Sequence, residues 1–73
     1  MQTETVGARI RYLRRKNGIT QKKLAEILYV SVSTVSCWER DRSEPSICFI
    51  VKLTMLFCIS LDYLMTGNEK TTP

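Results

Sequence analysis

Apolar residues recur along this chain at spacings of three and four, in short groups separated by polar stretches. The first group, Val6, Ile10 and Leu13, predicts one buried face of a helix over residues 4–16. Arg9, Arg11, Arg15 and Lys16 occupy most of its remaining surface. Thr3 is placed to cap it, Glu4 suits the positive end of its dipole, and Gly18 after Asn17 is a natural stop. Leu24, Ala25 and Leu28 mark a second helix capped by Thr20, and Val35 and Trp38 a third capped by Ser31. The polar segment Asp41-Arg42-Ser43-Glu44-Pro45 reads as a loop. Ser46 then caps a fourth helix that buries Ile47, Ile50, Leu53, Thr54 and Phe57. Cys58 and Ile59 make the next turn. Ser60 caps a short fifth helix, with Asp62 in its first turn, Leu61 and Leu64 pointing inward, and Gly67 at its end. The expected organisation is one all-α domain over residues 1–67 and a flexible polar tail over 68–73.

The second and third helices are the centre of this plan. Each is too short to stand alone, so neighbours must cover both. The small Ala25 permits a close crossing between them. Two short helices joined by a tight turn form a helix-turn-helix, whose second helix is built to enter a DNA major groove.

Charge sharpens that reading. The chain has 73 residues and a formal charge of +4. Through Pro45 there are nine basic against five acidic residues, and from Ser46 onward two against two. The excess therefore lies in the half that carries the helix-turn-helix, as a polyanion partner requires. No apolar run approaches the roughly 18 residues that span a bilayer. Cys37, Cys48 and Cys58 form no CxxC pair and there is no histidine, which argues against a metal site and for reduced thiols in a cytoplasmic protein. With no histidine, no carboxylate constellation and no glycine-rich phosphate loop, neither catalysis nor a cofactor is expected.

Four blocks carry a resemblance: I-R-Y-L-R-R-K-N-G-I-T-Q-K-K-L-A, V-S-V-S-T-V-S-C-W-E-R, S-E-P-S and I-S-L-D-Y-L. In this order and spacing the chain resembles the Cro/CI-like (XRE) family of phage-repressor and bacterial regulator DNA-binding domains. The resemblance implies a five-helix, lambda-repressor-like fold with a recognition helix at about 32–40. It implies an ion pair between Arg14 and Glu39, tying the first helix to the end of the recognition helix. It also implies a DNA-phosphate contact at Gln21. Thr20, Arg40, Arg42 and Ser43 are further phosphate candidates as donors near the ends of the motif, and Lys22 and Lys23 can add charge. The base-reading positions carried over from the family are Ser31, Val32, Ser33, Ser36 and Cys37. Strong direct readout uses Arg, Lys, Asn or Gln, and none lies between Ser31 and Glu39. The expectation is weak direct readout, support from DNA shape or Arg40, and a strongly salt-dependent affinity.

The chain departs from the family pattern at three helix ends, where Tyr29, Asp41 and Cys58 stand in place of a frequent glycine. A left-handed tyrosine costs on the order of 1 kcal/mol, so the turn at Tyr29 is either strained or differently shaped. Cys48, Phe49, Met55 and Tyr63 are apolar where the family is more often polar. Because the family commonly dimerises through the last helix, Leu61, Tyr63 and Met65 are candidate contacts for a two-fold homodimer. The leading function is a sequence-specific regulator of transcription acting on double-stranded DNA, most simply a small repressor. The alternative is an antitoxin or interaction module whose C-terminal apolar face binds a partner protein. Thr71-Thr72-Pro73 reads equally as an end or as the start of a linker.

Overall fold

The computed structural model describes residues 5–68. Five helices follow one another: α1 (Val6–Lys16), α2 (Gln21–Leu28), α3 (Val32–Glu39), α4 (Ile47–Phe57) and α5 (Leu61–Thr66). Each contributes one side chain that is almost wholly removed from water: Ile10, Leu24, Val35, Leu53 and Leu64. The apolar core is therefore shared by all five, and Leu13, Ala25, Leu28, Trp38, Ile50 and Phe57 complete it. Trp38 meets the Phe49 ring at a centroid separation of 5.3 Å, which joins the end of α3 to α4.

Helix starts follow simple chemistry. Hydroxyls of Thr20, Ser31 and Ser60 accept from the amides of Lys23, Thr34 and Tyr63, three residues on in each case. Ser46 occupies the same position before α4 but makes no side-chain cap bond. The first helix begins two residues later than expected, at Val6. Thr5 is its cap and accepts from the amide of Ala8 at 3.0 Å, while Thr3 and Glu4 lie outside the described residues. A negative charge does reach this N-terminus, but from a distant residue. Asp41 accepts from the Gly7 amide at 3.1 Å and from the Thr5 hydroxyl at 2.7 Å, which suits the helix dipole and fastens the loop after α3 to α1.

Four turns share one hydrogen-bond scheme. At Gly18, Tyr29, Asp41 and Cys58 the backbone is left-handed, with φ of 70°, 59°, 58° and 55°. Each residue donates back three positions, and its successor donates back five, as Val30 does to Ala25 at 3.0 Å and Ile59 to Thr54 at 3.1 Å. This is the Schellman arrangement, which satisfies carbonyls left open by the helix end. Three of the successors, Ile19, Val30 and Ile59, pack against the core and hold the turn closed. Three non-glycine residues thus accept a disfavoured conformation because these bonds demand it, reinforced after Tyr29 and Cys58 by the burial of Val30 and Ile59. Tyr29 adopts the strained form, and its side chain is 92% exposed, so it recovers nothing by packing. Tyr29→Gly is expected to stabilise the domain by up to about 1 kcal/mol. Chemical denaturation measures this, and a lower midpoint would count against strain at this turn.

Three side chains lie elsewhere than periodicity suggested. Ile47 and Leu61, expected inside, are 65% and 47% exposed. Each is the first residue of its helix, where the chain has not yet turned onto the neighbouring helices. Arg9, expected on the polar face, is buried. Its guanidinium donates to the carbonyls of Leu64 at 2.8 Å and Met65 at 3.1 Å, which fastens the end of α5 to α1. Cys48 and Met55 are exposed, whereas Phe49 and Tyr63 are half-buried. The expected tail begins at Asn68, and residues 69–73 lie outside the described part. No described helix is long and apolar enough to cross a membrane.

Candidate nucleic-acid interface

The helix-turn-helix is held from behind by a buried ion pair. Arg14 Nε donates to Glu39 Oε2 at 2.6 Å and Arg14 Nη2 to Glu39 Oε1 at 3.1 Å, a two-pronged contact between α1 and the last residue of α3. Arg14 Nη1 donates to the Ile19 carbonyl at 2.9 Å, so the turn before α2 belongs to the same network. Such forked geometry fixes orientation as well as distance. The pair implied by the family resemblance is present, and it is almost entirely out of water.

Gln21, the first residue of α2, joins this network. Its Nε2 donates to Glu39 Oε1 at 3.1 Å. An amide nitrogen carries two hydrogens, so one remains for a ligand while the first sets the direction of the group. The half-buried Gln21 is thereby held in place. Thr20 beside it is exposed and turns its hydroxyl oxygen to the Lys23 amide, which leaves the hydroxyl hydrogen for an outside acceptor.

Around Gln21 the surface is concave. Arg11, Arg14 and Arg15 form the α1 wall of this cleft, and Thr20 and Lys22 line it near the start of α2. Val32, Ser36 and Glu39 of α3, with Arg40 directly after the helix, close it from the other side. The cleft therefore brings together expected phosphate contacts (Thr20, Gln21, Arg40) and expected base readers (Val32, Ser36). Five cations face one carboxylate there, and that carboxylate is already engaged by Arg14 and Gln21. Helical spacing alone places Arg11 and Arg15 on the polar surface of α1 without linking them to this cleft. The usable sign in the sequence was an α1 with five cations and no acidic residue.

The other candidates are distributed differently. Ser31 is exposed, and its hydroxyl oxygen serves both the Thr34 amide at 3.1 Å and the Thr34 hydroxyl at 2.8 Å. Ser33 is exposed and Cys37 half-buried on the outward side of α3, away from Val35 and Trp38. Val32 is 43% exposed, enough of an apolar surface to rest against a thymine methyl. Arg42 and Ser43 are exposed in the loop after α3, outside the cleft. Ser43 instead borders a hollow with Thr5, Asp41 and Pro45. Leu61 and Met65 are each about half exposed on α5, with Tyr63 half-buried between them.

Similarity to known proteins agrees with this geometry. The helix-turn-helix family matches residues 10–64. The regulator ImmR of Bacillus subtilis is 37% identical over 65 residues, 89% of this chain and 51% of its own length. The C2 repressor of Salmonella phage P22 is 36% identical over 72 residues, 99% of this chain and 33% of its own length. The chain thus spans about half the length of ImmR and a third of C2. The P22 c2 repressor solved in complex with a synthetic operator superposes with a TM-score of 0.83 at 36% identity, covering 90% of this chain and all of that one. The N-terminal DNA-binding domain of SinR from Bacillus subtilis gives 0.73 at 32% identity, covering 92% and 96%. On the matched helices and the buried Arg14–Glu39 tie, the chain belongs to the Cro/CI-like (XRE) helix-turn-helix family.

Proposed function

We propose that this chain binds double-stranded DNA and regulates transcription as a repressor, with α3 in the major groove. The observation that carries the reading is the cationic cleft at the start of α2, opening directly beside the exposed first turn of α3. Phosphate contacts by Gln21, Thr20 and Arg40, with Arg42 and Ser43 from the next loop, set the register of the domain on the duplex. Ser31, Val32, Ser33, Ser36 and Cys37 then meet base edges. These are small or apolar groups with little discriminating power, so specificity leans on DNA shape and affinity on phosphates. A two-fold dimer through Leu61, Tyr63 and Met65 would present two copies of α3 to a palindromic site.

Selection of bound duplexes from a random pool, followed by titrations at several salt concentrations, tests this. The expected outcome is a short, degenerate, palindromic consensus and an affinity that falls steeply with salt. Gln21→Ala should weaken binding to all sequences about equally, since it removes a phosphate contact and no base contact. Failure to bind any duplex at low salt would overturn the reading. Tight discrimination that persists at high salt would overturn its weak-readout part.

A further inference from the structure

We infer that Arg11 and Arg15 form a second phosphodiester seat on α1, which extends the DNA contact beyond the phosphates met by the helix-turn-helix and its following loop. This rests on the DNA-binding reading above. Of the five cations in α1, Arg9 and Arg14 are consumed internally, by the α5 carbonyls and by Glu39. Arg11 and Arg15 are exposed, and among the described residues neither has a hydrogen-bond or ion-pair partner. They stand four apart, one turn above the other, where like charges disfavour the helix. Their position in α1 does not account for both. Arg15 lies in the last turn, where the dipole welcomes a cation, but Arg11 lies in the middle and gains little from it.

Their surroundings point to an anion with extended charge. Both arginines line the cleft that holds Gln21 and Arg40, and both also line the adjoining hollow with Tyr12 and Lys16. They therefore form a ridge between two concave surfaces, with the amide of Gln21 on one side and the Lys16 ammonium on the other. A single small anion would occupy one hollow. A phosphodiester backbone passing over the ridge would meet both, and the planar guanidinium is suited to fork onto phosphate oxygens.

The test compares Arg11→Gln, Arg15→Gln and the double variant with the unaltered chain. Binding to a random-sequence duplex pool is followed by fluorescence anisotropy over a range of salt. Lys52→Gln on α4, outside both hollows, controls for the loss of net charge. The logarithmic salt slope should fall in magnitude by about 1 for each arginine and about 2 for the pair. The pair of Arg→Lys substitutions should keep most of the slope, since charge remains while the fork is lost. Circular dichroism melts check that each variant is folded. An unchanged slope in the double variant, or a change no larger than that of Lys52→Gln, overturns the proposal. If the unaltered chain binds no duplex, the DNA-binding reading fails instead, which is a different result.

Discussion

Glu39→Ala is expected to cost roughly 3 to 5 kcal/mol, because it leaves the Arg14 guanidinium buried without its anion. Small domains have total stabilities on the order of 5 to 15 kcal/mol, so a large share of the folding stability is at stake. The carboxylate accepts three hydrogen bonds, two from Arg14 and one from Gln21, and alanine replaces none of them. Arg14 is 8% exposed and has little access to water as a substitute. Glu39→Gln keeps the shape and one acceptor, so its cost should be clearly smaller. Exchanging both partners together, as Arg14→Met with Glu39→Leu, should recover much of the loss, since no lone charge is then buried. Urea denaturation of the four proteins reads this out. A Glu39→Ala midpoint equal to that of the unaltered chain would mean the pair contributes nothing. The double exchange should still impair DNA binding, because Gln21 loses the partner that directs its amide.

A second large effect is expected at Gly7→Ala. A β-carbon there would lie 2.1 Å from the Trp38 carbonyl oxygen and 2.6 Å from a carboxylate oxygen of Asp41. The first of these is backbone at the end of α3 and cannot swing aside. Relief requires α1 to move off α3, which also breaks the Asp41 bond to the Gly7 amide. The expected cost is about 3 kcal/mol, at the upper end for overpacking. Gly18→Ala makes a sharp comparison. Gly18 has φ of +70° but nothing within 4 Å of a new β-carbon, so only the left-handed backbone is penalised, by about 1 kcal/mol. If Gly7→Ala proves no more costly than Gly18→Ala, the close approach of α1 to α3 is not what this glycine serves.

These two positions differ in how far they could be read from the sequence. The Arg14–Glu39 pair was legible only through resemblance, since nothing in spacing alone links residues 25 apart. Gly7 carried no signal at all. It lies inside a helix, where glycine is usually a liability, and its reason is a carbonyl supplied by another helix. Asp41 was legible only as a residue standing at a helix end where the family often has glycine, and its role as a cap for α1 was not legible.

What the sequence determined by itself is local. Three- and four-residue spacing placed the five helices, because an apolar stripe must repeat with the helical turn. Hydroxyl residues before the stripes set three of the starts, because free amides lie within reach of the next side chain. What only the tertiary structure decided concerns residues whose partners are distant in the chain. Burial of Arg9 by carbonyls of α5 and the Asp41 cap on α1 both depend on groups brought together by packing. So does the cleft that collects Arg11, Arg15, Gln21 and Arg40, since a charge pattern along one helix does not reveal which cations neighbouring helices leave unpaired.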